Sequence, residues 1–180
     1  MSKNVLIISS SPRKGGNSDV LCDEFLKGAT DSGNNAEKIF LRDKKINYCT
    51  GCGFCNTNDY TKCAQQDDIN DIMDKMESAD VIVFSSPIYF YAISGQMKTF
   101  IDRACSRYTH LLNKEFYYIL TAADSSQGAI QFALGEFKGL MACLNNPTEK
   151  GCLFAGGVWQ KGEINGTPYL RQAYEMGKNI

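Results

Sequence analysis

The sequence has no apolar run of the length that a membrane-spanning helix requires. Such a helix needs about 20 consecutive apolar residues, whereas the strongest apolar runs here, Val5 to Ile8 and Val81 to Phe84, have only the length of a β-strand. The apolar run near the N terminus is also too short for the core of a secretory signal peptide. The sequence therefore predicts no membrane partner, and we expect a cytoplasmic protein.

The chain also lacks an excess of charge of either sign. It has 19 Lys and Arg against 20 Asp and Glu, a formal net charge of −1, and no basic block longer than the pair Lys44-Lys45. Because a nucleic-acid-binding protein normally carries a basic face or stripe, no nucleic-acid partner is expected. Proline is scarce, with 4 residues beside 16 glycines, which excludes a collagen-like or disordered chain.

What the chain does contain is a regular alternation of strand and helix patterns. A chain of 180 residues corresponds to about one domain at ~150 residues per domain, so we expect one domain over residues 1–180. Short β-rich runs alternating with helical patterns are typical of a parallel α/β sheet, here doubly wound with strand order 2-1-3-4-5. The predicted strands are Asn4 to Ile8, Glu37 to Leu41, Asp80 to Phe84, Phe116 to Leu120 and Gly151 to Ala155.

Helices are predicted between these strands from apolar spacing and capping residues. The first is expected to begin at Asn17 or Ser18, which are good N-cap residues, and to stop at Ser32-Gly33-Asn34. The last is expected to have Thr167 as its cap and Pro168 at its first position. The remaining predicted helices span Asp68 to Ser78, a stretch that begins at Gly95, and Gln127 to Cys143.

The segment Ser9 to Ser18 reads SSSPRKGGNS and joins a buried strand to a helix. Helix N termini expose unpaired N–H groups, so a loop of small hydroxyl residues and glycines there can wrap a phosphate. The spacing is neither that of a P-loop nor that of the dinucleotide fingerprint. A phosphate that carries a longer tail therefore fits better than a nucleoside triphosphate, and an ordinary strand-to-helix turn is the alternative.

An aromatic run, Tyr89-Phe90-Tyr91, follows the third predicted strand. Strands one and three are neighbours at the switch point where ligands bind in this strand order, so we expect this run to meet the phosphate loop. A planar ring system such as a flavin can lie against aromatic side chains; packing in the core or at a dimer surface is the alternative. Trp159, beyond strand five, is expected at the same edge, covering the flavin or a neighbouring subunit or lying in an exposed turn.

Two motifs stand in the order found in a known family. The run Ser10 to Ser18 looks like the loop G-S-P-R-x-x-G-N-[ST] of NADPH-dependent FMN reductases, with Ser10 where glycine is usual. The run Ser86 to Tyr91, with the helix from Gly95 to Arg103, resembles the second FMN loop of that family and the helix after it. The resemblance implies a flavodoxin-like fold, bound FMN, NAD(P)H as a transient co-substrate, a small-molecule electron acceptor and a homodimer.

The resemblance also implies which residues contact the cofactor. No side chain needs to act as acid or base, because the flavin itself accepts the hydride, and so no catalytic side chain is predicted. Thr121 and Ala122, at the end of strand four, are expected neighbours by position. The implied phosphate contacts are Ser11, Arg13, Asn17 and Ser18, with Ser9 and Gly16 in the same loop, and the implied ring contacts are Pro87, Ile88, Tyr89 and Phe90.

Four of the 8 cysteines crowd into residues 49–63, namely Cys49, Cys52, Cys55 and Cys63. A cytosolic chain keeps its thiols reduced, so this spacing suggests a metal site, and the first three match a ferredoxin-type run. The arrangement resembles the iron–sulfur flavoproteins, relatives with the same fold and a [4Fe–4S] cluster near the FMN, and Gly51 and Gly53 are expected to relieve crowding around it. Zinc sites more often use two separated pairs of cysteines, so zinc fits this single run of three less well. Unligated thiols or a redox pair are the other alternative.

The sequence is thus interpreted as an FMN-dependent NAD(P)H oxidoreductase. Its expected acceptor is a quinone, an azo or nitro compound, free flavin, or a redox protein partner reached through the cluster. One alternative is an iron–sulfur flavoprotein that carries electrons without NAD(P)H turnover of its own. A zinc-stabilised interaction protein is the other.

Overall fold

The computed structural model describes residues 2–180. Five parallel strands form its central sheet in the order β2-β1-β3-β5-β6, and the two-residue strand β4 pairs antiparallel with β3. This is the predicted flavodoxin-like order 2-1-3-4-5. The last two strands are numbered β5 and β6 here because the short strand β4 is also counted. The strands are β1 (Asn4–Ser9), β2 (Asn35–Phe40), β3 (Val81–Tyr89), β4 (Ala92–Ile93), β5 (Glu115–Ala122) and β6 (Thr148–Gly156).

Helices cover both faces of the sheet, because successive side chains of each strand point to opposite sides. Leu6 and Ile8 of β1 pack with α3, α4 and α5, whereas Val5 and Ile7 pack with α1 and α6. No helix among residues 2–180 has the length and apolar character that crossing a bilayer demands. The helices are α1 (Asn17–Asp31), α2 (Phe54–Thr57), α3 (Ile69–Ser78), α4 (Gly95–Ala104), α5 (Gln127–Met141) and α6 (Pro168–Lys178).

Strand β3 is longer than the sequence predicts. Its predicted end is Phe84, but Ser85, Ser86 and Pro87 continue the strand and pair with Ile119 to Thr121 of β5. Serine and proline are typical of loops, yet pairing with β5 outweighs that local preference. The aromatic run therefore starts inside the strand, and Phe90 is its first residue beyond the sheet.

Helix α1 begins at Asn17, one of the two predicted start residues, but its N-cap is Gly16, so Asn17 is the first helical residue and not the cap. The Asn17 side chain does not cap the helix because it binds the segment that follows β6, as described below. Thr167 does stand at the N-cap of α6, but its hydroxyl donates to the Ile164 carbonyl at 2.7 Å instead of capping the helix.

Helices α1 and α6 touch through their backbones at two glycines. A methyl group added at Gly28 would lie 2.0 Å from the carbonyl oxygen of Tyr174, and one added at Gly177 would lie 2.1 Å from that of Phe25. Such distances are far inside van der Waals contact, so only glycine permits this approach. The contact fixes α1, and with it the loop at the N terminus of α1, against the C-terminal part of the chain.

Candidate functional site

Residues 10–18, which are the connection between β1 and α1 together with the first two residues of α1, form a tight concave turn that we call the phosphate loop. The Gly16 N–H donates to the Arg13 carbonyl at 2.9 Å, and the Ser11 hydroxyl donates to the same carbonyl at 3.0 Å. A methyl group at Gly16 would lie 2.9 Å from both the Arg13 carbonyl oxygen and Ser11 Oγ. The N–H groups of Asn17 and Ser18 open helix α1 and have no intrahelical partner. The loop thus offers the backbone donors that bind a phosphate.

Three cations lie at this loop. Arg13 and Lys14 belong to it, and Arg13 Nη2 donates to the Trp159 carbonyl at 3.1 Å. Lys161 comes from the segment after β6 and was missed: a methyl group at Gly15 would lie 3.4 Å from its Nζ. The only sequence signal for Lys161 is its place beyond the last strand, at the edge where ligands bind.

Asn17 has a different role from the predicted side-chain contact with the phosphate. Its Nδ2 donates to the Gln160 carbonyl at 2.9 Å, and its Oδ1 accepts from the N–H groups of Gly162 and Ile164 at 3.2 and 3.4 Å. The side chain is 2% exposed. The Asn17 side chain therefore holds residues 159–164 against the phosphate loop. Only the backbone N–H of Asn17 remains to donate to a phosphate.

Buried serines connect the phosphate loop to the aromatic run. Ser10 Oγ donates to the Ser85 carbonyl at 2.9 Å and accepts from Ser94 Oγ at 2.8 Å. The Ser94 N–H in turn donates to Ser86 Oγ at 2.8 Å. The Ser10 hydroxyl is thus fully engaged in hydrogen bonds inside the protein and does not donate to a ligand. The network fixes the position of β3 relative to the phosphate loop.

Ser9 lies away from the site that the sequence predicts for it. The residue is fully buried, and its Oγ has no hydrogen-bond partner within residues 2–180. It faces Cys22 of α1, whose pKa is raised to about 12 because burial disfavours the thiolate. Ser9 therefore packs beneath helix α1 and does not line the phosphate loop.

The aromatic run borders a cavity of about 330 Å³, which we call the aromatic cavity. Of the predicted ring contacts, Ile88, Tyr89 and Phe90 line it, as does Ala122, which was expected there by position. Pro87 and Thr121, which are paired residues of β3 and β5, are buried and do not line it. Ala123, Asp124, Ala129 and Trp159 complete the wall together with Tyr91.

The phosphate loop and the aromatic cavity meet at Trp159. This residue lines the aromatic cavity, and its carbonyl accepts the hydrogen bond from Arg13. Tyr89 and Asn17 therefore both lie against the segment that follows β6, as the predicted convergence of the two loops requires. Phe90 is fully exposed and, with φ of 50°, adopts a left-handed conformation that is unusual for an aromatic residue. Its ring is free to cover a planar ligand.

The four clustered cysteines line a second cavity, of about 310 Å³, which we call the cysteine cavity. A fifth thiol, that of Cys105 just after α4, shares the cavity and was not predicted. Within residues 2–180, no three His, Cys, Asp or Glu side chains are grouped so that they could hold a metal ion. This finding bears equally on zinc and on every other single-ion site, whereas a [4Fe–4S] cluster needs thiolates spread around a larger group.

The two glycines that flank Cys52 lie in left-handed turns. Gly51 and Gly53 have φ of 64° and 73°, and a methyl group on either would touch no protein atom within 4 Å. Their positive φ values favour glycine at both positions. The Phe54 N–H donates to the Cys52 sulfur, and this hydrogen bond lowers the pKa of the exposed Cys52 thiol.

These environments predict a large difference in thiol reactivity. In protein freed of any metal, iodoacetamide at neutral pH is expected to modify Cys52 first and to leave Cys22 unmodified until the chain is unfolded, because the thiolate is the nucleophile. Peptide mass mapping over time measures both rates, and the same reaction in denaturant gives the reference. Comparable rates for the two thiols in the folded protein would contradict the assigned environments.

The chain is similar to one protein family and to several known proteins. The family described as NADPH-dependent FMN reductase matches residues 3–142. An iron–sulfur flavoprotein of Archaeoglobus fulgidus is 44% identical over 96 residues, which are 53% of this chain but only 43% of that protein. Another from that organism is 32% identical over 163 residues, covering 84% of this chain and 79% of that protein. An azoreductase structure from Bacillus anthracis matches 100% of both chains with a TM-score of 0.71 at 17% identity, which shows the fold alone.

Proposed function

The chain belongs to the NADPH-dependent FMN reductase family, and from this premise we propose that it binds FMN across the phosphate loop and the aromatic cavity and oxidises NAD(P)H. The observation that carries the proposal is the bond from Arg13 to the Trp159 carbonyl. Through it, a loop with anion-binding donors meets an apolar cavity of about 330 Å³. Pockets of about 300–1,000 Å³ are typical of small-molecule and cofactor sites.

Each part of the cofactor has a matching part of the chain. The phosphate would accept hydrogen bonds from the N–H groups of Asn17 and Ser18, with Arg13 and Lys161 supplying positive charge. The ring would lie in the aromatic cavity against Tyr89, Phe90 and Trp159. Gly16 makes the cradle possible, since a methyl group there would lie 2.9 Å from the Arg13 carbonyl oxygen.

Bound FMN supplies the redox chemistry, because the flavin accepts hydride from NAD(P)H and passes electrons on. The residues of the chain hold it, orient it and shield one side of it. Phe90 and Trp159 are exposed at the mouth of the aromatic cavity, where they would contact the nicotinamide or an aromatic acceptor. Quinones and azo or nitro compounds are planar and suit such a surface.

We further propose that the cysteine cavity holds a [4Fe–4S] cluster. Thiolate is the donor that such clusters require, and Cys49, Cys52, Cys55 and Cys63 all line this one cavity. Its volume of about 310 Å³ is roughly ten times the ~30 Å³ share of one water molecule, which fits a group larger than a single ion. The cluster would supply one-electron transfer, for which a redox protein is the suitable acceptor.

Helix α4 connects the two proposed sites. Ser94, its N-cap, belongs to the serine network, and Arg103 and Cys105 at its other end line the cysteine cavity. Ten helical residues span about 15 Å at 1.5 Å per residue. The serine network and the cysteine cavity therefore lie at opposite ends of α4, about one helix length apart.

Tryptophan fluorescence gives a direct test of the proposed FMN site. The chain has a single tryptophan, Trp159, so adding FMN is expected to quench most of the fluorescence and to saturate at one FMN per chain. Trp159→Phe, which keeps an aromatic wall, is the matched control: it should bind FMN by flavin absorbance but show no signal. Stoichiometric FMN binding without quenching would place the ring elsewhere.

Steady-state kinetics separates the enzyme from the electron carrier. The FMN-loaded protein is expected to oxidise NAD(P)H continuously with a quinone or azo dye as acceptor. A protein that binds FMN but shows no turnover with either nucleotide would support the carrier function instead.

A further inference from the structure

Arg103 is the largest fully buried side chain among residues 2–180, with 1% of its surface exposed. It is the penultimate residue of α4 and lines the cysteine cavity. Arginine is almost never fully buried without a specific partner, so its presence at this cavity calls for a function.

The guanidinium of Arg103 joins both ends of the cysteine segment. Nη1 donates to the Asn47 carbonyl at 2.6 Å and to Asp67 Oδ2 at 2.7 Å, and Nη2 donates to Asp67 Oδ1 at 2.9 Å. Asp67, whose side chain is only 3% exposed, also accepts from the N–H of Asn47 at 3.0 Å. The ion pair therefore holds the residues just before Cys49 to those just after Cys63.

The same guanidinium also reaches a cysteine sulfur. Arg103 Nη2 donates to Cys63 Sγ at 3.2 Å. Arg103 Nε, by contrast, is buried with no hydrogen-bond partner within residues 2–180. A buried donor without an acceptor is destabilising, so the described protein groups leave part of this side chain unsatisfied. A group rich in sulfur in the cysteine cavity would offer it an acceptor.

Cys63 is held at both its backbone and its sulfur. Its backbone N–H donates to Asn70 Oδ1 at 2.9 Å, and its carbonyl accepts from Asn70 Nδ2 at 3.3 Å. Together with the bond from Arg103, three contacts fix this residue and its sulfur. Cys63 is thus a pre-positioned thiol of the cysteine cavity, and the one whose sulfur is bound by a buried cation.

We propose that Arg103 is a positioning residue that orients Cys63 toward the [4Fe–4S] cluster and, by hydrogen bonding its sulfur, sets the reduction potential of that cluster. The inference rests on the proposed cluster. Hydrogen bonds to the cysteine sulfurs are among the factors that set cluster potentials, and they favour the more negative, reduced state. A buried cation that donates to a ligand sulfur therefore raises the potential.

The test compares Arg103→Lys with Arg107→Lys after anaerobic reconstitution with iron and sulfide. Arg107 is the matched control because it also forms ion pairs, its Nε lying 2.6 Å from Glu77 Oε1, but does not line the cysteine cavity. Loss of such a supporting contact typically costs about 10–100-fold in metal affinity. We expect Arg103→Lys to lose iron to a chelator at least about tenfold faster and to have a more negative cluster potential, with FMN content unchanged. Arg107→Lys should match the wild type.

A measurement on the unaltered protein avoids any dependence on how the variant folds. Wild-type protein grown with ¹⁵N-arginine is expected to show a ¹⁵N hyperfine coupling at the reduced cluster by pulsed electron paramagnetic resonance, and this coupling should persist in Arg107→Lys. Absence of the coupling, or an unchanged potential and iron loss in folded Arg103→Lys, would overturn the proposal. A wild-type protein that binds FMN but no iron would overturn the cluster and this role together, while the FMN function would stand.

Discussion

Asn17→Asp is expected to lower the affinity for FMN by at least about 100-fold, equivalent to about 2.7 kcal/mol, and to leave the affinity for riboflavin nearly unchanged. The two side chains have almost the same shape, but aspartate adds a negative charge at a position that is 2% exposed and opens helix α1. Two unit charges 4 Å apart interact by about 4 kcal/mol at the effective dielectric constant of ~20 usual near a protein surface, and a phosphate carries more than one charge. Riboflavin has the ring without the phosphate.

The substitution should not unfold the chain. A carboxylate at the N terminus of a helix is favoured by the helix dipole, and Oδ1 still accepts from Gly162 and Ile164. What changes is the bond to the Gln160 carbonyl, because a carboxylate oxygen then faces the carbonyl oxygen, at a cost of about 1–3 kcal/mol.

Asn113→Asp is the matched control for the added charge. Asn113 precedes β5 and so lies at the opposite edge of the sheet from the phosphate loop. Its replacement should change neither affinity, as measured by quenching of Trp159. An equal loss for FMN and riboflavin in Asn17→Asp would mean that the loop is distorted, and no loss for FMN would mean that the phosphate lies elsewhere.

The elements that the sequence predicts well are those with a local signal. Buried strands read as continuous apolar runs because helices cover both faces of a parallel sheet, and all five predicted strands are present in the predicted order. The sequence indicates the phosphate loop and the aromatic run through the types of residue that follow two strand ends. The predicted strand order alone brings these two segments together, because their strands are neighbours in the sheet.

The errors have a different origin, since each depends on a contact between residues distant along the chain. Asn17 is a good N-cap residue in isolation, but its amide binds carbonyl and N–H groups 143 to 147 residues away. Ser85 to Pro87 look like a loop until β5 pairs with them. Nothing in the spacing of the cysteines indicates that Arg103, 40 residues from Cys63, donates to its sulfur.

Gly177→Ala is expected to lower the free energy of unfolding by at least about 3 kcal/mol, at the upper end of the usual cost of overpacking, and Gly28→Ala by a similar amount. The added methyl groups would lie 2.1 and 2.0 Å from backbone carbonyl oxygens of the facing helix, which cannot rotate away as a side chain could. Helices α1 and α6 would have to separate. For a protein of about this length, the loss corresponds to a fall in Tm of roughly 6–12 °C, measurable by thermal unfolding.

Gly135→Ala and Gly139→Ala are the matched controls, because both lie in helix α5 and a methyl group there would touch nothing within 4 Å. They should stabilise the protein by up to about 1 kcal/mol each, since alanine is the better helix former. Equal Tm values for all four variants would contradict the close contact of α1 with α6. That contact also bears on the site, because α1 begins at the phosphate loop and α6 follows the segment that Asn17 clamps. Separation of the two helices should therefore weaken FMN binding in Gly177→Ala, whereas Gly135→Ala should bind FMN as the wild type does.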